Sequence, residues 1–321
     1  MMNYWSDYPA LQSQLNDVIK IIEDALQDSQ EFIYEAVQDT LHSGGKMLRP
    51  SFVLLGATFG DSLDDNILNM AAIVEMLHIA TLIHDDIIDD SKLRRGVESI
   101  QSKHGKDSAV FIGDYLFAKC FTLLSKHYSQ ESMMQLSKAI LNICKGELRQ
   151  FSFRYQYHTS VMQYLKIISG KTAALFAMSL YIGGKESKAE DDVLKSLSKI
   201  GYRVGMAFQI IDDCLDYSDK KIIKKNTMND LKQGYLTLPI IYALQNDNHG
   251  ELKKLLDKSN FTEDDIEKIY SFVIQNNGLV QAQALAKKYT KKSFATLEKL
   301  PNTESKEMLA RIIQTLLNRI Y

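Results

Sequence analysis

Apolar residues recur at a period near 3.6 through almost the whole chain, while alternation of period two is scarce. The pattern predicts helices over 10–42, 48–59, 64–89, 107–128, 131–151, 160–183, 189–217, 236–246, 251–257, 262–275, 278–298 and 303–320. Breaks fall at 43–45, 60–62, 183–184, 246–250 and 300–302, where Ser, Gly, Asn, Asp and Pro supply loop chemistry. Thr262 followed by Glu263 and Asp264 reads as a helix start. No low-complexity run or Pro/Gly/Ser linker divides the chain. The expectation is one all-α domain over residues 1–321.

Composition sharpens this reading more than it changes it. Of 321 residues 45% are apolar and 24% charged, with 4 Pro and 16 Gly, which suits a large helical globule and excludes disorder. The 38 basic and 40 acidic side chains leave a net charge of −2, so no broad positive field would recruit nucleic acid. The first twenty residues contain Asp7, Asp17 and Lys20 and lack the apolar run of a signal peptide. No uninterrupted apolar run reaches the roughly 18 residues of a membrane span; the stretches near 71–83 and 172–184 fall short, so no transmembrane segment is expected. Cys120, Cys144 and Cys214 are odd in number, widely spaced and set in apolar sequence. They read as buried free thiols in a reducing compartment, hence a cytoplasmic location.

One feature stands apart from the helical background. Asp85-Asp86-Ile87-Ile88-Asp89 and Asp212-Asp213-Cys214-Leu215-Asp216 share one spacing, and each ends an apolar helical run. Residues four apart on a helix differ by about 40° in azimuth, so Asp85 and Asp89 share a face, as do Asp212 and Asp216. Carboxylates packed so closely repel one another, and a helix C-terminus disfavours them further. Hard oxygen ligands in this arrangement suit Mg²⁺ held between carboxylates and substrate phosphates.

Positive side chains accompany them at turns and helix breaks. Lys46 and Arg49 follow Gly44-Gly45, Arg94-Arg95-Gly96 lies five residues beyond Asp89, Lys171 follows Gly170, and Lys225 follows the second acidic cluster. Arginine can grip phosphate with two parallel N–H groups, and glycine frees the backbone for close approach. Together these groups describe a polyphosphate site. His78 and His84 superficially suggest a metal-dependent HD phosphohydrolase, but six residues on one helix is an awkward spacing for joint chelation. His78 is instead read as a diphosphate contact and His84 as structural; Phe208, Phe151 and Phe153 are read as core.

In sequence order these pieces resemble the trans-isoprenyl diphosphate synthase (polyprenyl synthetase) family. The resemblance runs from Gly-Gly-Lys-x-x-Arg-Pro at 44–50 through Glu75-Met76-Leu77-His78, His84-Asp85-Asp86-x-x-Asp89, Arg94-Arg95-Gly96, Gly146-Glu147-Leu148-x-Gln150 and Gly170-Lys171-Thr172. It continues with Phe208-Gln209-x-x-Asp212-Asp213-x-x-Asp216 and Asn229-Asp230-Leu231 to Thr237-Leu238-Pro239. It implies an all-helical fold around a central cavity, as a homodimer or as a heterodimer with a regulatory subunit. By the same resemblance Asp85, Asp89, Asp212 and Asp216 are metal ligands, supported by Asp86 and Asp213, for three Mg²⁺ per active site. Arg94, Lys171 and Lys225 resemble the grips on an allylic diphosphate; Lys46, Arg49, His78 and Arg95 resemble the pocket for isopentenyl diphosphate. Thr172 and Gln209 resemble the polar groups beside a developing carbocation. Lys224 and Tyr235 depart from the family pattern, so position 235 is given no role.

Leu77, Ala80 and Thr81 precede the first cluster by one to two turns. In that family bulky aromatics there stop chain growth early; the small Ala80 and Thr81, with the two-residue spacer Ile87-Ile88, imply a product of four or more isoprene units. A short-chain farnesyl or geranylgeranyl synthase, a catalytic subunit needing a partner, a class I terpene cyclase and a non-catalytic subunit are the alternatives. The intact second cluster and Lys46/Arg49 argue against the last two.

Overall fold

The structure is a computed structural model and describes residues 4–61, 64–217, 228–258 and 260–318. The first helices are α1 (Pro9–Leu26), α2 (Glu31–His42), α3 (Leu48–Ala57) and α4 (Asp65–Ile88). A short hairpin, β1 (Leu93–Arg94) with β2 (Val97–Glu98), leads to α5 (Ile100–His104), α6 (Lys106–His127) and α7 (Gln130–Ser152). A continuous stretch then comprises α8 (Val161–Ile168), a π-helical turn at Ser169–Ala173, and α9 (Ala174–Glu186). After α10 (Asp191–Leu215) come α11 (Asn229–Lys232), α12 (Leu238–Gln245), α13 (Glu251–Leu256), α14 (Glu263–Gln275), α15 (Gly278–Leu297) and α16 (Glu304–Leu317). The all-α expectation holds, with the hairpin as its one addition among the described residues.

The chain forms two compact units. One takes the residues up to Ser137 together with Met178–Leu197; the other takes Lys138–Ala177 and the residues from Ser198 onward. In the first, α4 is the central element, packed by α1, α3 and α6. Every residue from 71 to 80 is buried, which explains why this helix is apolar all round instead of amphipathic. Asp64 starts it, its carboxylate accepting the Ile67 N–H at 3.2 Å. In the second unit α12 packs on α14, α15 and α8, and Ile240, Leu252, Leu256, Ile269 and Val273 fill the core between neighbouring helices. Ser160 and Gln163 close a capping box at the start of α8, and Thr262 does the same with Asp265 at α14.

Several sequence expectations need correction. The helix expected over 10–42 is two helices, interrupted after Leu26. The break expected at 183–184 is absent, because α9 runs through to Glu186. A Cβ at Gly183 would lie 1.9 Å from the Val53 carbonyl oxygen, so glycine is there to let α3 approach. Cys120 and Cys214 are buried, but Cys144 is exposed on α7, and so is Phe151, which was expected in the core. Three stretches, Asp65–Ile88, Lys106–His127 and Val161–Glu186, are long and apolar enough on average to cross a membrane by length and composition. For the first and third, most of that apolar window is nevertheless buried inside the protein.

Candidate active site

In the first unit the site begins where α4 runs out. Asp85 and Asp89 are half-buried on the shared face that helical spacing requires, while Asp86, about 100° away, is buried at 5% exposure. Arg94 reaches back from β1 and grips Asp86 with Nε and Nη2, at 2.6 to 3.0 Å from its carboxylate oxygens. Burial alone would lower the Arg94 pKa, but the bond and charge of Asp86, with Asp85 and Asp89 nearby, hold it above the usual value. The turn that places Arg94 has Arg95 at φ 53° and Gly96 at φ 82°, the two positive angles of a type I′ hairpin. Asp90 leaves the cluster and pairs with Lys106 at 2.7 Å.

A second group of cations lies in the same unit. Gly45 meets the Arg95 guanidinium so closely that a Cβ there would sit 2.4 Å from Nη1. The Trp5 indole N–H donates to the Lys46 carbonyl at 2.8 Å, and the Lys46 ammonium lies 4.9 Å over the Tyr4 ring. On α4, Glu75 and His78 stand one turn apart, each only 8% exposed. Burial and the charges of Arg49, Arg95 and Arg94 drive the His78 pKa well down, so its imidazole is neutral. Burial pushes Glu75 up to about 6 against the opposing pull of Arg49 and Arg95. Its Oε2 is buried without a hydrogen-bond partner. The structure therefore groups Arg49, His78 and Arg95 as the sequence suggested and adds Glu75. In the sequence Glu75 heads the Glu75-Met76-Leu77-His78 piece of the family resemblance but carries no assigned role.

Of the chain-length candidates, Leu77 and Ala80 are fully buried in this unit. Thr81 is half-buried, its hydroxyl donating to the His78 carbonyl at 2.7 Å. His84 packs beside Phe117 at 5.8 Å between ring centroids, with Asp114 at 3.5 Å, in keeping with a structural role.

In the second unit the π turn crosses α7. A Cβ on Gly146 would lie 2.5 Å from the Lys171 backbone nitrogen, so only glycine allows the crossing. The turn presents Lys171 to Glu147 Oε2 at 3.0 Å and Gln150 Oε1 at 2.9 Å. Inserted π turns recur at functional sites, and this one holds two of the expected residues in sequence, Lys171 and Thr172. The Thr172 hydroxyl donates to Gln209 Oε1 at 2.8 Å, and Gln209 Nε2 donates to Asp213 Oδ1 at 3.0 Å.

The second acidic cluster repeats the division seen in the first. Asp212 is exposed, Asp216 half-buried, and the middle Asp213 is turned inward at 7% exposure. Tyr164 donates to Asp213 Oδ2 at 2.6 Å. Burial pushes Asp213 up to about 7, opposed first by the Tyr164 bond and assisted by the charge of Asp230. Asp216 rises to about 6 through burial and the charges of Asp230 and Asp212. Asp230, within Asn229-Asp230-Leu231, has no role assigned from the sequence, yet its charge acts on both Asp213 and Asp216. Lys225, expected to contact diphosphate, lies outside the described residues.

Do these residues fit a divalent cation? Burial and, after it, the charges of Asp230 and Asp212 lift Asp216; positive charge relieves that repulsion, and carboxylate oxygens are the hard donors Mg²⁺ prefers. Among the described residues no three His, Cys, Asp or Glu side chains converge to hold an ion unaided. Mg²⁺ commonly takes one or two carboxylates plus phosphate oxygens from a substrate, and the outward carboxylates of each cluster are donors of that kind.

The polyprenyl synthetase family matches residues 30–273 of the chain. The chain is 36% identical to heptaprenyl diphosphate synthase component 2 of Bacillus subtilis (strain 168), over 94% of this chain and 87% of that protein. A crystal structure of geranylgeranyl pyrophosphate synthase from Lactobacillus brevis ATCC 367 is similar at a TM-score of 0.93 and 33% identity, covering 99% of this chain and 100% of that one. The polyprenyl synthase of Caulobacter crescentus CB15, crystallised with calcium and isoprenyl diphosphate, is similar at a TM-score of 0.89 and 30% identity, over 98% and 97% of the two chains.

Proposed function

The chain belongs to the polyprenyl synthetase family and is a prenyltransferase; we propose that it is a trans-polyprenyl diphosphate synthase that extends an allylic diphosphate with isopentenyl diphosphate, by ionisation, condensation and elimination, to products of 20 carbons or more. The paired acidic clusters, each with an outward pair of carboxylates and a buried middle one, are the observation that carries this reading.

In this proposal Asp85, Asp89, Asp212 and Asp216 are the carboxylates that would hold magnesium, three ions per active site. Such ions supply positive charge where the leaving diphosphate develops its negative charge. Arg94, Lys171 and Lys225 bind the allylic diphosphate, and Lys46, Arg49, His78 and Arg95 bind isopentenyl diphosphate. The neutral His78 contributes a hydrogen bond, not a charge. Thr172 and Gln209 stand beside the allylic carbon that becomes cationic, where oriented oxygen dipoles lower the barrier to ionisation. Attack by the alkene of isopentenyl diphosphate forms the new carbon–carbon bond, and loss of a proton to the released diphosphate restores an allylic product. The small Ala80 and Thr81, beside Leu77, are assigned to letting a long chain pass.

We treat the two units as one functional domain, a reading supported by a family match that runs through both. The location proposed is cytoplasmic. A partner is proposed as well, either a second copy or a regulatory subunit. Leu141, Leu148 and Phe151 recur at helical spacing on α7 and are exposed, as is Phe111 on α6. The Bacillus subtilis relative is itself named as a second component.

The test is to incubate the purified chain, alone and with a candidate partner subunit, with isopentenyl diphosphate, Mg²⁺ and allylic primers of increasing length, and to size the products. Condensation to products of four or more isoprene units is expected. No condensation with any primer or partner would sink the proposal.

A further inference from the structure

Four hydrogen bonds in the second unit converge on Asp213, three of them directly and one through Gln209. Tyr164, 5% exposed on α8, donates its hydroxyl to Asp213 Oδ2 at 2.6 Å. The Leu238 N–H at the start of α12 points at the same oxygen from 3.4 Å. Gln209 Nε2 donates to Asp213 Oδ1 at 3.0 Å. Because the amide nitrogen faces Asp213, the Gln209 carbonyl oxygen faces the other way, and there it accepts the Thr172 hydroxyl at 2.8 Å. A carboxylate met by three donors acts as an acceptor, so its presence selects which end of the amide it meets. The single proton of Thr172 is then directed at Gln209, and the hydroxyl oxygen keeps its lone pairs for whatever lies beside it.

We propose that Tyr164, acting through Asp213, is a positioning residue that fixes the Gln209 amide and the Thr172 hydroxyl so that oxygen lone pairs face the developing allylic cation. The proposal rests on the prenyl-transfer reading above. With the amide reversed, an NH₂ group would face Thr172 and the hydroxyl proton would be free to turn outward, so positive ends of dipoles would meet positive charge. Orientation fixed before the reaction is what makes such dipoles useful in a dry site. Tyr164 itself touches neither substrate nor metal ligand in this scheme; it holds Asp213, which holds Gln209.

The test compares wild type with Tyr164→Phe, Gln209→Ala and the double variant, using Mg²⁺, an allylic primer and isopentenyl diphosphate. Calorimetry then measures the affinity of each for an alkylammonium diphosphate, whose charged nitrogen stands in for the cation, and for the neutral allylic diphosphate. Tyr164→Phe should lower kcat about tenfold or more, with both KM values unchanged, the size typical of losing a supporting hydrogen bond. It should weaken the alkylammonium compound by a similar factor and leave the allylic diphosphate alone, and the double variant should be no worse than Gln209→Ala. Asp213→Asn, which keeps the shape but exchanges one acceptor for a donor, should reproduce the loss. A Tyr164→Phe enzyme with wild-type kcat, or with effects that add to those of Gln209→Ala, overturns the assignment. So does a variant that merely melts earlier. A wild type without condensation sinks the functional reading and this assignment together; an active wild type with an unaffected Tyr164→Phe sinks the assignment alone.

Discussion

Glu75 offers the sharpest separation of stability from function. Its carboxyl is 8% exposed, carries an unpartnered oxygen, and is raised from 4.5 to about 6 by burial. A rise of that size corresponds to about 2 kcal/mol of preference for the neutral acid in the folded protein. The folded-state pKa lies above the unfolded one, so this stability is fully present below pH 4.5 and is lost as pH rises through about 6. Glu75→Gln keeps the neutral shape at every pH. It should therefore match wild type near pH 4 and exceed it by about 2 kcal/mol at pH 7.5. With about 2.1 cal/mol/K of unfolding entropy per residue over 321 residues, that gap amounts to a midpoint about 3 °C higher. Thermal unfolding followed by circular dichroism across pH 4 to 8 reads it directly. The kinetic cost should fall on the other side: Arg49 and Arg95 lose the charge between which they are balanced, so KM for isopentenyl diphosphate rises about tenfold while kcat and the allylic KM hold. Parallel melting curves for the two proteins across that pH range, or a less stable variant at pH 7.5, would refute the reasoning.

Two further outcomes follow from the geometry. Asp85→Ala and Asp212→Ala should each abolish turnover while leaving helical circular dichroism intact, since both side chains lie outside the core; a near-normal rate in either would remove that residue from the metal set. Gly146→Ala places a methyl group 2.5 Å from the Lys171 backbone, which forces α7 away from the π turn. It should cost about 1–3 kcal/mol of stability, the usual range for overpacking, and lower kcat through the misplaced Lys171. An unchanged midpoint and rate would show that the crossing tolerates a side chain.

Much of the fold was legible because its signals are local. The 3.6 period located nearly every long helix, and a spacing of four at two helix ends marked both outward carboxylate pairs. What stayed hidden depends on neighbours distant in sequence. Nothing at 27–30, which reads Gln-Asp-Ser-Gln, announces the gap between α1 and α2. The hairpin has only two residues per strand, and its turn puts Arg95, a residue with no preference for positive φ, at 53°, while the guanidinium lies against Gly45, fifty residues away. The exposure of Cys144 and Phe151 is equally invisible, because an apolar residue at helical spacing looks the same whether its own chain or another covers it.

The acidic clusters show where local reasoning can be pushed further. Helical geometry already sets Asp86 and Asp213 about 100° from the carboxylates that precede them, so neither could share the outward face. That they are buried follows only from their partners, Arg94 eight residues on and Tyr164 forty-nine residues back. The two middle aspartates are thus held by opposite means, one by a charge and one by neutral donors. Asp86 carries no charge that its own unit leaves unanswered, whereas Asp213 is answered by hydrogen bonds alone and is pushed up to about 7. An Asn at 86 should therefore leave Arg94 released and the first cluster altered in charge. An Asn at 213 changes no ion pair and acts on the orientation of Gln209. The same residue type at the same place in a repeated pattern does two different jobs, and the difference is written in the side chains that meet it.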